Sequence, residues 1–241
     1  MLIYALLFLL AISTSVVSAV VGMAGGIILL SVLSVFFPFS FVIPVHGLVQ
    51  LVSNFSRAVL LRAYIHKKIF MYFLIGVPMG TLLAVFALKN FAVGKLPIYL
   101  IVLLVLYTVF KPKSLPSIRL QYWQYAPLGF VAGFLGMFIG ATGPLLGVFF
   151  LREDLNKKEI IATQASAQIV NHFLKIPAFL FLGFDFIKNI DLILVMVIGA
   201  IVGTELGVKI LDRLSERYFV ILYKAVLLGV AVYLVIKNGL L

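Results

Sequence analysis

The sequence predicts an all-α polytopic membrane protein made of two inverted repeats, each a glycine-broken helix pair followed by three transmembrane helices. Three observations carry this. First, 64% of the 241 residues are hydrophobic and 11% are charged, with a mean hydropathy of +1.23; a water-soluble domain of this length cannot hide so much apolar surface. Second, apolar runs of bilayer-crossing length alternate with short basic connections. Third, a shift of 118 residues, which lays Gly22 on Gly140, superposes two glycine breaks and two polar stripes. Repeat one is expected over residues 1–110, a cytoplasmic linker over 111–124 and repeat two over 125–241.

The first run, Leu2 to Val21, has no basic flank and its apolar character continues to Phe37. That is far too long for a cleaved signal peptide, so it is expected to stay in the membrane. It breaks at Gly22-Met-Ala-Gly25-Gly26. Ile27 to Phe37 falls short of the ~20 residues a span needs, so the pair reads as two helices or half-helices meeting at the break. Pro38-Phe-Ser marks a turn, and Pro44 should open a helix over 46–65 near its first turn. Arg62, Lys67 and Lys68 flank its far end. Ile69 to Leu88 is the next helix, where Gly76, Pro78, Gly80 and Thr81 allow a close neighbour. A further helix is expected over 96–110, then a linker with Lys111, Lys113, Arg119 and the one tryptophan, Trp123, an interfacial anchor.

The second half repeats the plan. Ala126 to Ile139 breaks at Gly140-Ala-Thr142-Gly143-Pro144. Leu145 to Arg152 is too short to cross, which favours a re-entrant half-helix. Helices then follow over 159–182, 192–211 and 218–236. Gly199 and Gly203-Thr204 fall on Gly76 and Gly80-Thr81 at a shift of 123 (199 − 76). If each repeat crosses an odd number of times, the two are antiparallel. One side then gathers most of the cations, including Arg62, Lys67, Lys68, Arg119, Arg152 and Arg217. The positive-inside rule assigns that side to the cytoplasm. This distribution also accounts for the net charge of +11 without nucleic acid as a partner.

The candidate site lies in two stripes. Gln164, Gln168, Asn171, His172 and Lys175 share one face of a helix at 3.6 residues per turn. His46, Gln50, Ser53, Asn54 and Arg57 form the matching stripe. A cation at intermediate bilayer depth costs at least ~2.5 kcal/mol and should face a cavity, a partner or a pathway. The bland alternatives are snorkelling of the cations to the headgroups and polar glue between helices. Half-helices starting after Gly26 and Pro144 would aim backbone N–H groups and their positive dipole ends inward. Gly25, Gly26, Thr142 and Gly143 would then help to hold an anion. His172 is a proton-carrier candidate. Glu205 is the one candidate coupling carboxylate in the spans, unless it only pairs with Lys209.

Val21-Gly-Met-Ala-Gly-Gly-Ile-Ile-Leu-Leu, its partner Ile139-Gly-Ala-Thr-Gly-Pro-Leu-Leu and the Gly-x-x-x-Gly-Thr helices resemble the TauE/SafE sulfite-exporter family of membrane permeases. The resemblance covers essentially the whole chain; Pro144 stands where that family usually has glycine. It implies transport of a small sulfur-containing anion such as sulfite, thiosulfate or an organosulfonate.

The function expected is thus a secondary transporter working by alternating access in the cytoplasmic membrane, with an anion channel as the alternative. Arg57 and Lys175 would neutralise the anion while the stripes and the glycine breaks donate hydrogen bonds. No cofactor, metal or nucleotide motif is expected. An intramembrane enzyme would need a nucleophile–base pair or a carboxylate cluster, and the chain offers three His and no Cys. The lipid bilayer and the anion are the expected partners, with a homo-oligomer left open.

Overall fold

A computed structural model describes residues 2–22, 24–90 and 119–237, which form nine α-helices. These are α1 (Leu2–Val21), α2 (Ala24–Phe36), α3 (Phe39–Leu60), α4 (Lys67–Asn90), α5 (Tyr125–Ile139), α6 (Gly143–Phe150), α7 (Lys157–Phe181), α8 (Ile190–Arg213) and α9 (Glu216–Lys237). The helix expected over 96–110, with Lys111 and Lys113, lies outside the described residues. By length and composition α1, α4 and the segment Ile187–Arg213 can each cross a membrane. They present large apolar side chains such as Leu82, Phe86 and Ile198 outward, as a bilayer-facing surface requires. By contrast α2 has 13 residues and α6 only eight.

Local chemistry explains most boundaries. Asn156 caps α7 by a reciprocal box: its Oδ1 accepts from the Glu159 N–H at 3.0 Å, and its own N–H donates to Glu159 Oε2 at 2.9 Å. Gly22 and Gly140 end α1 and α5 at φ of 83° and 81°, a left-handed conformation that glycine adopts without a Cβ penalty.

Three expected boundaries need correction. The half-helices begin at Ala24 and Gly143, so Gly25, Gly26 and Pro144 lie in their first turns rather than ahead of them; one glycine at each break suffices to stop the preceding helix. Pro44 is inside α3, because the apolar run from Phe39 continues the helix upstream of it at the loss of one backbone hydrogen bond. At its other end α3 stops at Leu60, with a short 3-10 turn over Arg62–Tyr64 in place of the expected last turn.

Glycine decides how the helices pair. A Cβ on Gly80 would overlap the Phe130 carbonyl, and one on Gly133 the Val77 carbonyl, so α4 and α5 touch backbone to backbone. Gly199, Gly203 and Gly207 do the same for α8 against Phe8, Ile12 and Val16 of α1. Contacts ascend together in both pairs, so α1 runs parallel to α8 and α4 to α5. The central pair is opposed: Gly47 lies against Lys175, while the His66 N–H, just past α3, donates to Thr163 Oγ1 at 2.9 Å. Helices α3 and α7 therefore run antiparallel through the middle, flanked by the two glycine-packed pairs.

Candidate functional site

The α3 and α7 stripes face each other and the two glycine breaks. His46, Gln50, Ser53, Asn54 and Arg57 are all buried, as are Thr142, Gln168, Asn171, His172 and Lys175. Both stripes reach for the first turn of a half-helix. His46 Nε2 donates to the Gly26 carbonyl at 2.8 Å, and Gln164 Nε2, its counterpart at the 118-residue shift, donates to the Gly143 carbonyl at 3.4 Å. Thr142 ties the second break down: its hydroxyl donates to Gln168 Oε1 at 3.3 Å and accepts from Asn171 Nδ2 at 2.8 Å. The Ser53 and Thr204 hydroxyls share a hydrogen bond of 3.1 Å, and Asn54 Nδ2 donates to the Gln50 carbonyl at 2.7 Å.

The two cations differ. Lys175, 1% exposed, donates to the Gly140 carbonyl at 2.5 Å and to His172 Nδ1 at 3.4 Å. Arg57, 0% exposed, has no hydrogen-bond partner at Nε, Nη1 or Nη2 among the described residues. Neither snorkels to the surface. Gln50 Nε2, about two turns back along α3, is also buried without a partner among the described residues. No Asp or Glu is among the buried side chains described.

Arg152 shows what the same chain does with a buried guanidinium when it has the means. Its Nε and Nη2 grip the two carboxylate oxygens of Asp154 at 2.9 and 2.7 Å, and Nη1 donates to the Leu120 carbonyl at 3.0 Å and the Tyr125 hydroxyl at 3.3 Å. Those bonds hold the Asp154 carboxyl down at about 2 and raise the Arg152 guanidinium above its ordinary value. An unpaired buried donor loses its hydration without compensation, so Arg57 and Gln50 together call for an acceptor of negative charge.

Between the stripes lies a cavity of about 10 Å³, lined by Gly26, His46, Gln50, Asn54, Gln168 and His172 together with Ser18, Gly22, Ala141 and Gly143. That is room for about one water. Gly26 faces it, since a Cβ there would sit 3.4 Å from Gln50 Cδ; Gly25 instead packs on α1, where a Cβ would overlap the Thr14 carbonyl. Ser53 hydrogen-bonds α8 and Thr142 braces the break, so these two support the site's walls. Glu205 and Lys209 are both exposed on α8, outside the cavity. Sequence reasoning missed Tyr223, whose hydroxyl lies 3.1 Å from the Gly147 carbonyl and 3.4 Å from Gln164 Oε1, tying α9 to α6 and α7. Tyr223 is one of three tyrosines in α9, with Tyr218 and Tyr233, so the sequence did not single it out.

The apolar outer helices and the two buried cations between α3 and α7 define a helical membrane protein with a cationic centre. The profile of the family described as Sulfite exporter TauE/SafE matches residues 7–234, and the chain belongs to that family. Membership places it among membrane permeases of the anion-exporter type. No curated protein and no solved structure matches the chain.

Proposed function

We propose that this permease is a secondary transporter that carries a small sulfur-containing anion, such as sulfite, thiosulfate or an organosulfonate, across the cytoplasmic membrane by alternating access. The unpartnered Arg57 guanidinium carries the reading: it is fully buried, and an oxyanion is the ligand that would satisfy its planar fork of donors. Lys175 would supply the second charge, with Gln50, Asn54, Gln168, Asn171, His172 and the first-turn N–H groups of α2 and α6 completing the shell.

Inverted repeats at 1–110 and 125–241 are supported by two features. Helix α3 opposes α7, its counterpart at the 118-residue shift, and the α1–α8 contact mirrors α5–α4. Alternating access is supported by the cavity's size. A space for about one water, lined by buried residues, leaves no open pore between the two stripes among the described residues. The two glycine-packed pairs would move as bodies against α3 and α7.

The test is thiosulfate or sulfite flux in proteoliposomes. Slow, saturable flux that falls at least tenfold in both Arg57→Ala and Lys175→Ala is expected. Parental flux in either variant removes that residue from the site, and ion-like conductance would make the protein a channel instead.

A further inference from the structure

Three basic side chains meet where α3 crosses α7: His46, His172 and Lys175. A carbonyl can only accept, so His46 Nε2 carries a hydrogen toward Gly26, and in the neutral ring Nδ1 is then the bare nitrogen. On His172 the contact is at the other nitrogen: Nδ1 lies 3.4 Å from Lys175 Nζ, and with Lys175 as the donor the ring hydrogen sits on Nε2. The two rings meet edge to face with centroids 5.8 Å apart. His46 Nδ1 is buried, without a hydrogen-bond partner, on a residue that lines the cavity.

Among the described residues no buried carboxylate faces that nitrogen. Helix α7 presents His172 and Lys175, and α3 itself carries Arg57 three turns on. Helix α2 contains no titratable residue, and α1 only Tyr4 at its far, exposed end. On α8, Asp191, Glu205 and Lys209 are all exposed. Among the described residues that line the cavity the two histidines are the titratable ones, and His172 Nδ1 already has Lys175 Nζ as a neighbour at 3.4 Å.

We propose that His46 Nδ1 is the proton-loading atom of an anion–proton cotransporter. The inference rests on the anion reading above. In the loading step a hydronium from the loading side gives its proton to Nδ1: an N–H bond forms, an O–H bond breaks, and water remains. The imidazolium then donates from Nδ1 to the anion, and both are released together on the other side, where the proton returns to water. Without an anion, a third positive charge beside Lys175 is opposed. With one, the charges offset, so proton and anion each raise the other's affinity by the same factor.

The second repeat supplies the diagnostic substitution. Gln164 stands where His46 does and makes the equivalent bond to a half-helix carbonyl. His46→Gln should thus keep the link to Gly26 while removing the lone pair that titrates. The probe is thiosulfate, which stays a dianion across the working range, so any proton taken up belongs to the protein. Its binding to the purified full chain is measured by calorimetry in buffers of different ionisation heat, from about pH 6 to 8.

The parent is expected to take up about one proton per anion, with affinity falling toward about tenfold per pH unit on the alkaline side. Whatever its affinity at any one pH, His46→Gln should take up no proton and show a flat profile, while His172→Asn keeps the slope. A sloping profile in His46→Gln, a flat one in the parent, or a slope lost only in His172→Asn overturns the assignment to His46 alone. Absence of thiosulfate binding, or equal binding by Arg57→Gln, defeats the anion reading and this one with it.

Discussion

Arg57→Leu separates a guanidinium waiting for a ligand from one that holds the fold together, because the two roles give opposite signs. Hydrogen bonds to charged groups contribute ~1.5–3 kcal/mol each, and removing one partner of a buried ion pair costs ~3–5 kcal/mol. At ~1.4 kcal/mol per tenfold, the variant should bind thiosulfate about 100- to 1,000-fold more weakly. In anion-free buffer the sign reverses. The three guanidinium nitrogens have no partner, so leucine removes an uncompensated buried charge and leaves the protein equally or more stable, by up to ~2 kcal/mol after lost packing. At ~2–4 °C per kcal/mol for a chain of this size, that is a Tm rise of a few degrees. Thermal unfolding of the detergent-solubilised protein, with and without thiosulfate, reads both effects. A Tm that falls in anion-free buffer would place a partner for Arg57 inside the protein. A thiosulfate-induced Tm rise equal to the parent's would remove Arg57 from the site.

Three further outcomes are expected. Gly47→Val places a Cβ 3.2 Å from Lys175 Cδ and should push the ammonium off the Gly140 carbonyl, weakening thiosulfate binding about tenfold with helicity unchanged by circular dichroism. Gly203→Ala drives a Cβ into the Ile12 carbonyl, so α1 and α8 must separate at a cost of ~1–3 kcal/mol, visible as a lower Tm. Asp154→Asn acts through pH. The Arg152 hydrogen bonds lower the Asp154 carboxyl from 3.8 to about 2, and a lowered carboxyl stabilises the fold above its unfolded value and loses that effect as pH falls through the folded one. The parent should therefore lose stability between about pH 4 and 2, while the variant lacks that step. Because Asp154 is solvent-exposed, the effect at neutral pH is ~1 kcal/mol.

Much of the site was legible because its signals are local. Gln164, Gln168, Asn171, His172 and Lys175 recur at helical spacing within one apolar run, and all are buried in the structure. Gly76, Gly80, Gly199 and Gly203 were read as close-approach residues and do meet neighbouring backbones. Gly25 and Gly26 looked alike in sequence, yet one packs on α1 and the other faces the cavity; one residue of helical rotation separates those roles. Arg152 read as an ordinary loop cation, because beside the nearby Asp154 its partners Leu120 and Tyr125 lie 32 and 27 residues away. Glu205 looked deep by position within a span, but its helix turns it outward.

By itself the sequence determined a polytopic helical membrane protein, the two glycine breaks, and two polar stripes that each end in a cation. Hydropathy, glycine's backbone freedom and the 3.6-residue period are properties of short segments, so they can be read without coordinates. Only the tertiary structure decided which of the two cations has a partner. Lys175 finds the Gly140 carbonyl 35 residues away in sequence, and Arg57 finds no partner among the described residues. Whether a buried charge is satisfied depends on which backbone and side-chain atoms three-dimensional packing brings within about 3 Å of it, and no local pattern encodes that distance.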